Sequence, residues 1–272
     1  MTDILELRNV SVIYSEAKEP AVTDVSLQIP ENSIVAIVGE SGSGKSTLIR
    51  SIIGLLSGKG QVMGGQILFK GTDLTKLSQR DYRRLRGKQI SMIFQNAVSA
   101  FDPKKKIGFQ FLENIRACEK ISKMQAKETA MDMLKRVGLL DPERIMDSYP
   151  FELSGGMAQR VAIAMSMSVH SELLLADEPT SALDVTMQAQ VVQALMDLRE
   201  TMGMTIIIVT HNLGVASYMA DYLAVMYHGK LVDFGPTDRI IKNPVDEYTK
   251  RLIQAVPDME VIDFERKDKT CP

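Results

Sequence analysis

The chain has 272 residues, enough for a well-buried core in one large domain or two small ones. Its 32 Lys and Arg against 34 Asp and Glu leave a net charge of −2, so nucleic acid is not an expected partner. Charged residues make up 24%, a soluble globular profile, and no apolar run is long enough to span a bilayer. Met1-Thr2-Asp3-Ile4 lacks a basic region followed by an apolar core, so no signal peptide is expected. Cys118 and Cys271 are too few for a disulfide framework and imply a reducing cytoplasm. The 17 Met residues read as core filler and adaptable surface.

In chain order, Ile4 to Tyr14 alternates apolar and polar residues, as does Ala21 to Ile29; both read as half-buried antiparallel strands joined by a polar loop. Tyr14 closes the first strand, where an aromatic could stack on a base or simply fill the core; its neighbours alone favour the second. Ser33 to Val38 is a short apolar run that reads as a buried strand. It delivers Gly39-Glu40-Ser41-Gly42-Ser43-Gly44-Lys45-Ser46, which fits the P-loop pattern G-x-x-x-x-G-K-[ST], and Thr47 to Ile53 continues as a helix. Glycines let successive N–H groups turn inward as an anion nest, and the helix N-terminus adds free donors and a positive dipole end. Lys45 offers a point charge for outer phosphates, and Ser46 a hydroxyl for Mg²⁺. An ordinary Gly/Ser turn is the competing reading, and the strand–loop–helix context argues against it.

Ser57 to Gly65 reads as a Gly-rich loop, Gly65 to Phe69 as a short strand and Gly71-Thr72-Asp73 as a turn. Arg80, Arg83, Arg84, Arg86 and Lys88 form a basic patch best read as a solvated helix face. Gln89 to Gln95 is a further buried strand ending at Gln95, at the edge where open parallel sheets place ligands. From Asn96 to about Tyr149 helical spacing replaces strands. Phe109 to Ile115 is one helix; Ser122 to Val137 is another, with Ser122 as N-cap and Gly138 as stop.

Leu153-Ser154-Gly155-Gly156-Met157 precedes a helix over 158–168 and is a second possible anion nest, weak on its own. Glu172 to Thr180 is an apolar strand ending in Asp177 and Glu178, two carboxylates that are costly to bury unless they meet a cation. With a P-loop upstream, one acid on Mg²⁺ and one on a water is the favoured reading. Ser181-Ala182-Leu183-Asp184 leads to a helix over 185–201, broken by Gly203. Thr205 to Thr210 is another buried parallel strand, delivering His211 to the ligand edge. A hairpin around His228-Gly229 and a helical tail from Pro236 with a polar end complete the chain.

Together these motifs resemble the ATP-binding subunit of an ABC transporter, in the family's order from Tyr14 to His211. Tyr14 matches its A-loop, Gly39 to Thr47 its Walker A, Gln95 its Q-loop and Leu153 to Met157 its signature. Leu173 to Glu178 matches Walker B, Asp184 the D-loop and His211 the H-loop. Met157 in the place of the wider family's Gln, Leu183-Asp184-Val185-Thr186, Thr210 to Val215, and Asn243-Pro244 leading to Tyr248-Thr249-Lys250 resemble the peptide/nickel importer subgroup. Longer members carry a tail Cys cluster, which Cys271 alone is not expected to form.

The resemblance implies an α/β P-loop NTPase (RecA-like) core with an N-terminal antiparallel β subdomain and an inserted α-helical subdomain. Residues 1–95 and 158–235 would be the catalytic core with the β subdomain, 96–157 the helical lobe, and 236–272 a helical tail. It implies Tyr14 on adenine, and Gly39, Ser41, Gly42, Ser43, Gly44, Lys45, Ser46 and Thr47 around ATP. Ser46, Gln95 and Asp177 would hold Mg²⁺, Glu178 would be the general base and His211 a γ-phosphate contact, with Lys45 and Gln95 assisting. Ser154, Gly155, Gly156 and Asp184 would meet ATP held by a second, identical or paralogous, ATP-binding subunit. Two multi-span permease subunits and, indirectly, an extracytoplasmic substrate-binding protein would complete an importer of small peptides, nickel or a metal–chelator complex at the cytoplasmic face of the membrane. The surface from Asn96 to about Ile115, with Phe101 presented as its anchor, is the expected permease dock. A soluble ABC ATPase in DNA repair or translation is the alternative, and would call for a coiled-coil insertion or second cassette. A P-loop enzyme outside the family would leave Ser154-Gly155-Gly156 and His211 unexplained.

Overall fold

The computed structural model describes residues 2–95, 101–181 and 183–255. β1 (Asp3–Tyr14) pairs antiparallel with β2 (Val22–Pro30) on one side and β4 (Gly60–Phe69) on the other, and β4 carries the two-residue β5 (Thr72–Asp73). The strand expected to start at Gly65 begins at Gly60 instead. Its glycines make a bulge rather than a loop: the register of β1 against β4 slips between Arg8 and Ser11. A Cβ on Gly65 would lie 2.4 Å from the Arg8 carbonyl oxygen, so only glycine lets the strands approach there.

The second sheet runs in the order β10-β9-β3-β8-β7-β6. Its members are β3 (Ile34–Val38), β6 (Ile90–Ile93), β7 (Leu173–Asp177), β8 (Thr205–Val209), β9 (Tyr222–Tyr227) and β10 (Lys230–Pro236). Pairing is parallel except for β10 at the edge. The central strands are continuously apolar because both faces are covered. Val35 and Ile37 join one core with α1 (Lys45–Ile52) and the antiparallel sheet; Ile34, Ala36 and Val38 join the other, beneath the helices. α1 therefore lies sandwiched between the two sheets, with Leu48, Ile49 and Ile52 fully buried.

The basic segment is α2 (Gln79–Leu85); Arg80, Arg83, Arg84 and Lys88 are exposed, as expected of a solvated face. Arg86 departs from it, donating from Nε to the Ile53 carbonyl (3.0 Å) and from Nη2 to Gly54 (2.7 Å), closing the end of α1.

The helical lobe holds α3 (Ile107–Cys118), α4 (Lys123–Arg136), α5 (Pro142–Asp147) and α6 (Gly155–Met167). Ser122 is the N-cap of α4, as expected, and a reciprocal capping box with Gln125 completes it. The division drawn between 157 and 158 falls inside α6, which begins at Gly155 and packs on both α4 and β6. α6 thus touches both the helices around it and the parallel sheet.

Phe101 also departs from expectation: it is 8% exposed and part of the apolar core. Gln110 turns it inward, accepting from the Asp102 N–H (2.8 Å) and donating to the Asp102 and Lys105 carbonyls (3.0 and 2.9 Å). That pins the Asp102-Pro103 turn so the ring rolls toward the core. Between Phe101 and Ile115 the phenylalanine presented to solvent is Phe109, on α3, at 58%. The rest of the expected dock, Asn96 to Ala100, lies outside the described residues.

After β7 come α7 (Val185–Met202), ended by Gly203, and α8 (Leu213–Met219). The tail forms α9 (Thr237–Lys242) and α10 (Glu247–Gln254). Cys271 lies outside the described residues. No described helix is long and apolar enough to cross a membrane.

Candidate active site

Neighbouring parallel strands β3, β8, β7 and β6 point their carboxyl ends the same way, delivering Gly39, His211, Asp177-Glu178 and Gln95 to one edge. From β3 the chain enters the P-loop with Gly39 at φ 145°, and a Cβ there would lie 2.1 Å from the Met226 carbonyl oxygen. Gly44 is the N-cap of α1, and no side chain caps that helix, so its first N–H groups face the loop.

Lys45 folds back over the loop. Its Nζ donates to the carbonyls of Gly39 (2.8 Å) and Glu40 (2.6 Å). Burial pushes its pKa below that of a free lysine, while the Glu178, Asp177 and Glu40 carboxylates pull the other way. A buried ammonium with several acidic neighbours is a charge poised for anionic oxygens.

Ser46 Oγ donates to Asp177 Oδ1 at 2.6 Å. Arg50 Nη2 donates to Asp177 Oδ2 at 2.9 Å, and Asp177 is fully buried. Arg50 was not singled out by sequence reasoning. The signal that finds it is its position four residues after Ser46 on α1, which puts both side chains on one helix face toward β7.

Glu178 follows β7 in the left-handed region at φ 47°, uncommon for a side chain of this size. Its Oε2 accepts from Gln95 Nε2 at 3.0 Å and lies 3.6 Å from His211 Nδ1. Side chains from two neighbouring strand ends thus converge on one Glu178 carboxylate oxygen. Gln95 itself lies two residues beyond the end of β6.

Tyr14 reaches the same region: its hydroxyl is 3.2 Å from Thr47 Oγ1, at the start of α1. Ser41 and Gly42 are exposed at the tip of the loop, whereas Ser43 is buried. Ser154, Gly155, Gly156 and Asp184 are arranged differently. Ser154 caps α6 by accepting from the Met157 N–H (3.3 Å), and Asp184 caps α7 by accepting from Met187 (3.0 Å). Among the described residues no hydrogen bond or ion pair links these four to 39–47. Ser154, Gly155, Asp184 and Val185 are exposed.

Ser46 Oγ and Asp177 Oδ1, both hard oxygens, already stand within hydrogen-bond distance, while the Gln95 amide donates to Glu178. Mg²⁺ takes few protein ligands beside substrate phosphates and water, so this set fits it. No cluster of three His, Cys, Asp or Glu residues that could hold a metal by itself occurs among the described residues.

A phosphate-cradling loop between strand and helix, facing paired carboxylates on a neighbouring parallel strand, defines a P-loop nucleoside triphosphatase. The family model described as "ABC transporter" matches residues 22–181. The oligopeptide transport ATP-binding protein OppD of Bacillus subtilis is 41% identical over 96% of this chain and 74% of its own length. The dipeptide transport ATP-binding protein DppD of Escherichia coli is 38% identical over 94% of this chain and 79% of its own. Among solved structures, the dimeric ATP-binding cassette MJ0796 in a post-hydrolysis state with ADP and Pi superimposes with TM-score 0.78 at 28% identity. It covers 86% of this chain and 98% of that one. cbiO1 from Clostridium perfringens, part of the ABC transporter complex cbiONQ, gives 0.75 at 25% identity over 89% and 92%. The chain belongs to the ABC transporter family, and it is an ATP-hydrolysing cassette.

Proposed function

We propose that this cassette powers the import of peptides through partner permease subunits, working as a dimer of ATP-binding subunits at the cytoplasmic face of the membrane. The observation that carries the catalytic part is the shared oxygen of Glu178, bonded to Gln95 and 3.6 Å from His211. That convergence supports reading Glu178 as a base, Gln95 as a sensor amide and His211 as a third polar group around one point beside Lys45. Glu178 takes a proton from the attacking water; His211 and Lys45 face the γ-phosphate; Gln95 links the site to the helical lobe. Ser46, Asp177 and Gln95 would hold Mg²⁺, which when bound neutralises charge on the phosphates. Tyr14 stacks on adenine, and residues 39–47 wrap the phosphates.

Exposed Ser154, Gly155 and Asp184, with Val185 at 83% exposure, supply the face that closes over ATP in a second cassette. The relatives' printed roles in oligopeptide and dipeptide transport support peptide cargo over nickel or a metal–chelator complex. A groove of about 950 Å³ on the helical lobe, lined by Phe109, Leu112, Lys123 and Glu143 among others, supports a permease dock there rather than at Phe101. Deleting the gene tests the cargo. Uptake of labelled di- and oligopeptides is expected to fall, with nickel uptake intact. Normal peptide uptake beside a nickel or chelate defect moves the cargo to that class.

A further inference from the structure

The tail motif leading to Tyr248-Thr249 has no part in the reaction described above, yet it reaches the P-loop. The Glu40 N–H donates to Tyr248 Oη at 2.9 Å, across 208 residues of chain. Tyr248 is 5% exposed, and its ring stacks on Tyr227 with centroids 4.1 Å apart. The helix that carries it is anchored at its start: Asp246 accepts from the Tyr248 N–H (2.8 Å), and Asp233 Oδ2 on β10 accepts from Val245 (3.0 Å). Asp233 is itself paired with Arg239. The phenol therefore stands on a fixed base. Burial pushes its pKa up, so it stays protonated at neutral pH.

The peptide it touches matters. The Glu40 N–H and the Gly39 C=O belong to one planar trans unit and point in opposite directions. The Gly39 carbonyl accepts from Lys45 Nζ at 2.8 Å. One peptide is thus gripped at both ends, by Lys45 on one side and Tyr248 on the other. It follows glycine, whose backbone could otherwise let it rotate.

We infer that Tyr248 is a positioning residue for ATP binding: it fixes the Gly39–Glu40 peptide and through it the seat of the Lys45 ammonium, making α10 a structural part of the nucleotide site. This rests on the reading of 39–47 as the phosphate loop.

Tyr248→Phe keeps the ring and its stack but removes the acceptor. In the full-length chain, titrated with ATP by calorimetry, its dissociation constant should rise about three- to tenfold, the range of one lost hydrogen bond. The melting temperature without nucleotide should stay unchanged. Tyr227→Phe, which loses a hydroxyl from the other ring of the stack, should bind ATP as the parent does. Unchanged ATP affinity in Tyr248→Phe overturns the inference. So does a loss matched by a lower melting temperature, or an equal loss in Tyr227→Phe, since either marks a packing effect. Lys45→Ala separates the two readings. If it abolishes ATP binding while Tyr248→Phe does nothing, only the positioning role falls; if it also binds ATP normally, the phosphate-loop reading falls with it.

Discussion

Glu178 is the residue on which the proposed chemistry turns, and its backbone is as telling as its side chain. At φ 47° it stands in a conformation that costs a side-chain-bearing residue energy, and such outliers gather at functional sites. The turn takes Glu178 off the line of β7, so Asp177 stays in the sheet against Ser46 and Arg50 while Glu178 turns to Gln95 and His211. The two adjacent acids thereby meet different partners, in keeping with the proposed split between a cation-binding carboxylate and a base. Glu178→Gln preserves shape and hydrogen bonding but cannot take a proton. It should keep ATP affinity near the parent's while hydrolysis falls by about 10²–10⁴-fold, the usual share of general-base help. It should also accumulate as an ATP-bridged dimer on a sizing column run with Mg·ATP, with the partner cassette added if the pair is heteromeric. Turnover close to the parent's would remove Glu178 from the catalytic role.

At the scale of elements, Ser154 and Asp184 carry two duties that can be pulled apart. Each caps a helix within its own chain, α6 and α7, and each is exposed on the face proposed to meet a second cassette. Asn caps a helix as well as Asp does, whereas Ala costs about 1 kcal/mol. Asp184→Asn should therefore leave the melting temperature where it is and lower ATP hydrolysis by the assembled pair. Asp184→Ala should lower both. If Asp184→Asn hydrolyses ATP normally, the residue is a cap and nothing more.

The same elements mark what the sequence made legible. Local rules were enough for the β3–P-loop–α1 unit, for the N-cap at Ser122 and for the buried strands β7 and β8, because their patterns depend on neighbours a few residues away. Long-range geometry was not legible. The bulge at Gly65 needs the Arg8 carbonyl beside it, and the burial of Phe101 needs Gln110 to pin the adjoining turn. Arg50 needs β7, and Tyr248 needs a loop 208 positions away. The residues brought to the Glu178 oxygen were each nameable from the resemblance; that they share one atom was not.

At the scale of the whole molecule, ATP turnover must push on something outside the cassette, and α6 offers the internal route. It starts at Gly155, packs against α4 and β6, and Gln159 Nε2 donates to the Pro179 carbonyl (3.0 Å) in the turn after Glu178. A rigid helix thus joins the turn after Glu178 to the helical lobe, alongside the proposed route through Gln95. The lobe's outward groove carries Phe109, with Lys105 Nζ 5.1 Å from its ring centre. Phe109→Ala removes an exposed ring, so its effect on stability should stay within about 0.5 kcal/mol. In membranes reconstituted with the permease subunits it should retain ATP hydrolysis by the free cassette and lose transport. Phe101→Ala is the contrasting case. It empties a core position at a cost of about 3–5 kcal/mol, so hydrolysis, transport and melting temperature should fall together. Full transport by Phe109→Ala would take the permease off this groove, and a stable but uncoupled Phe101→Ala would return the anchor to the turn before α3.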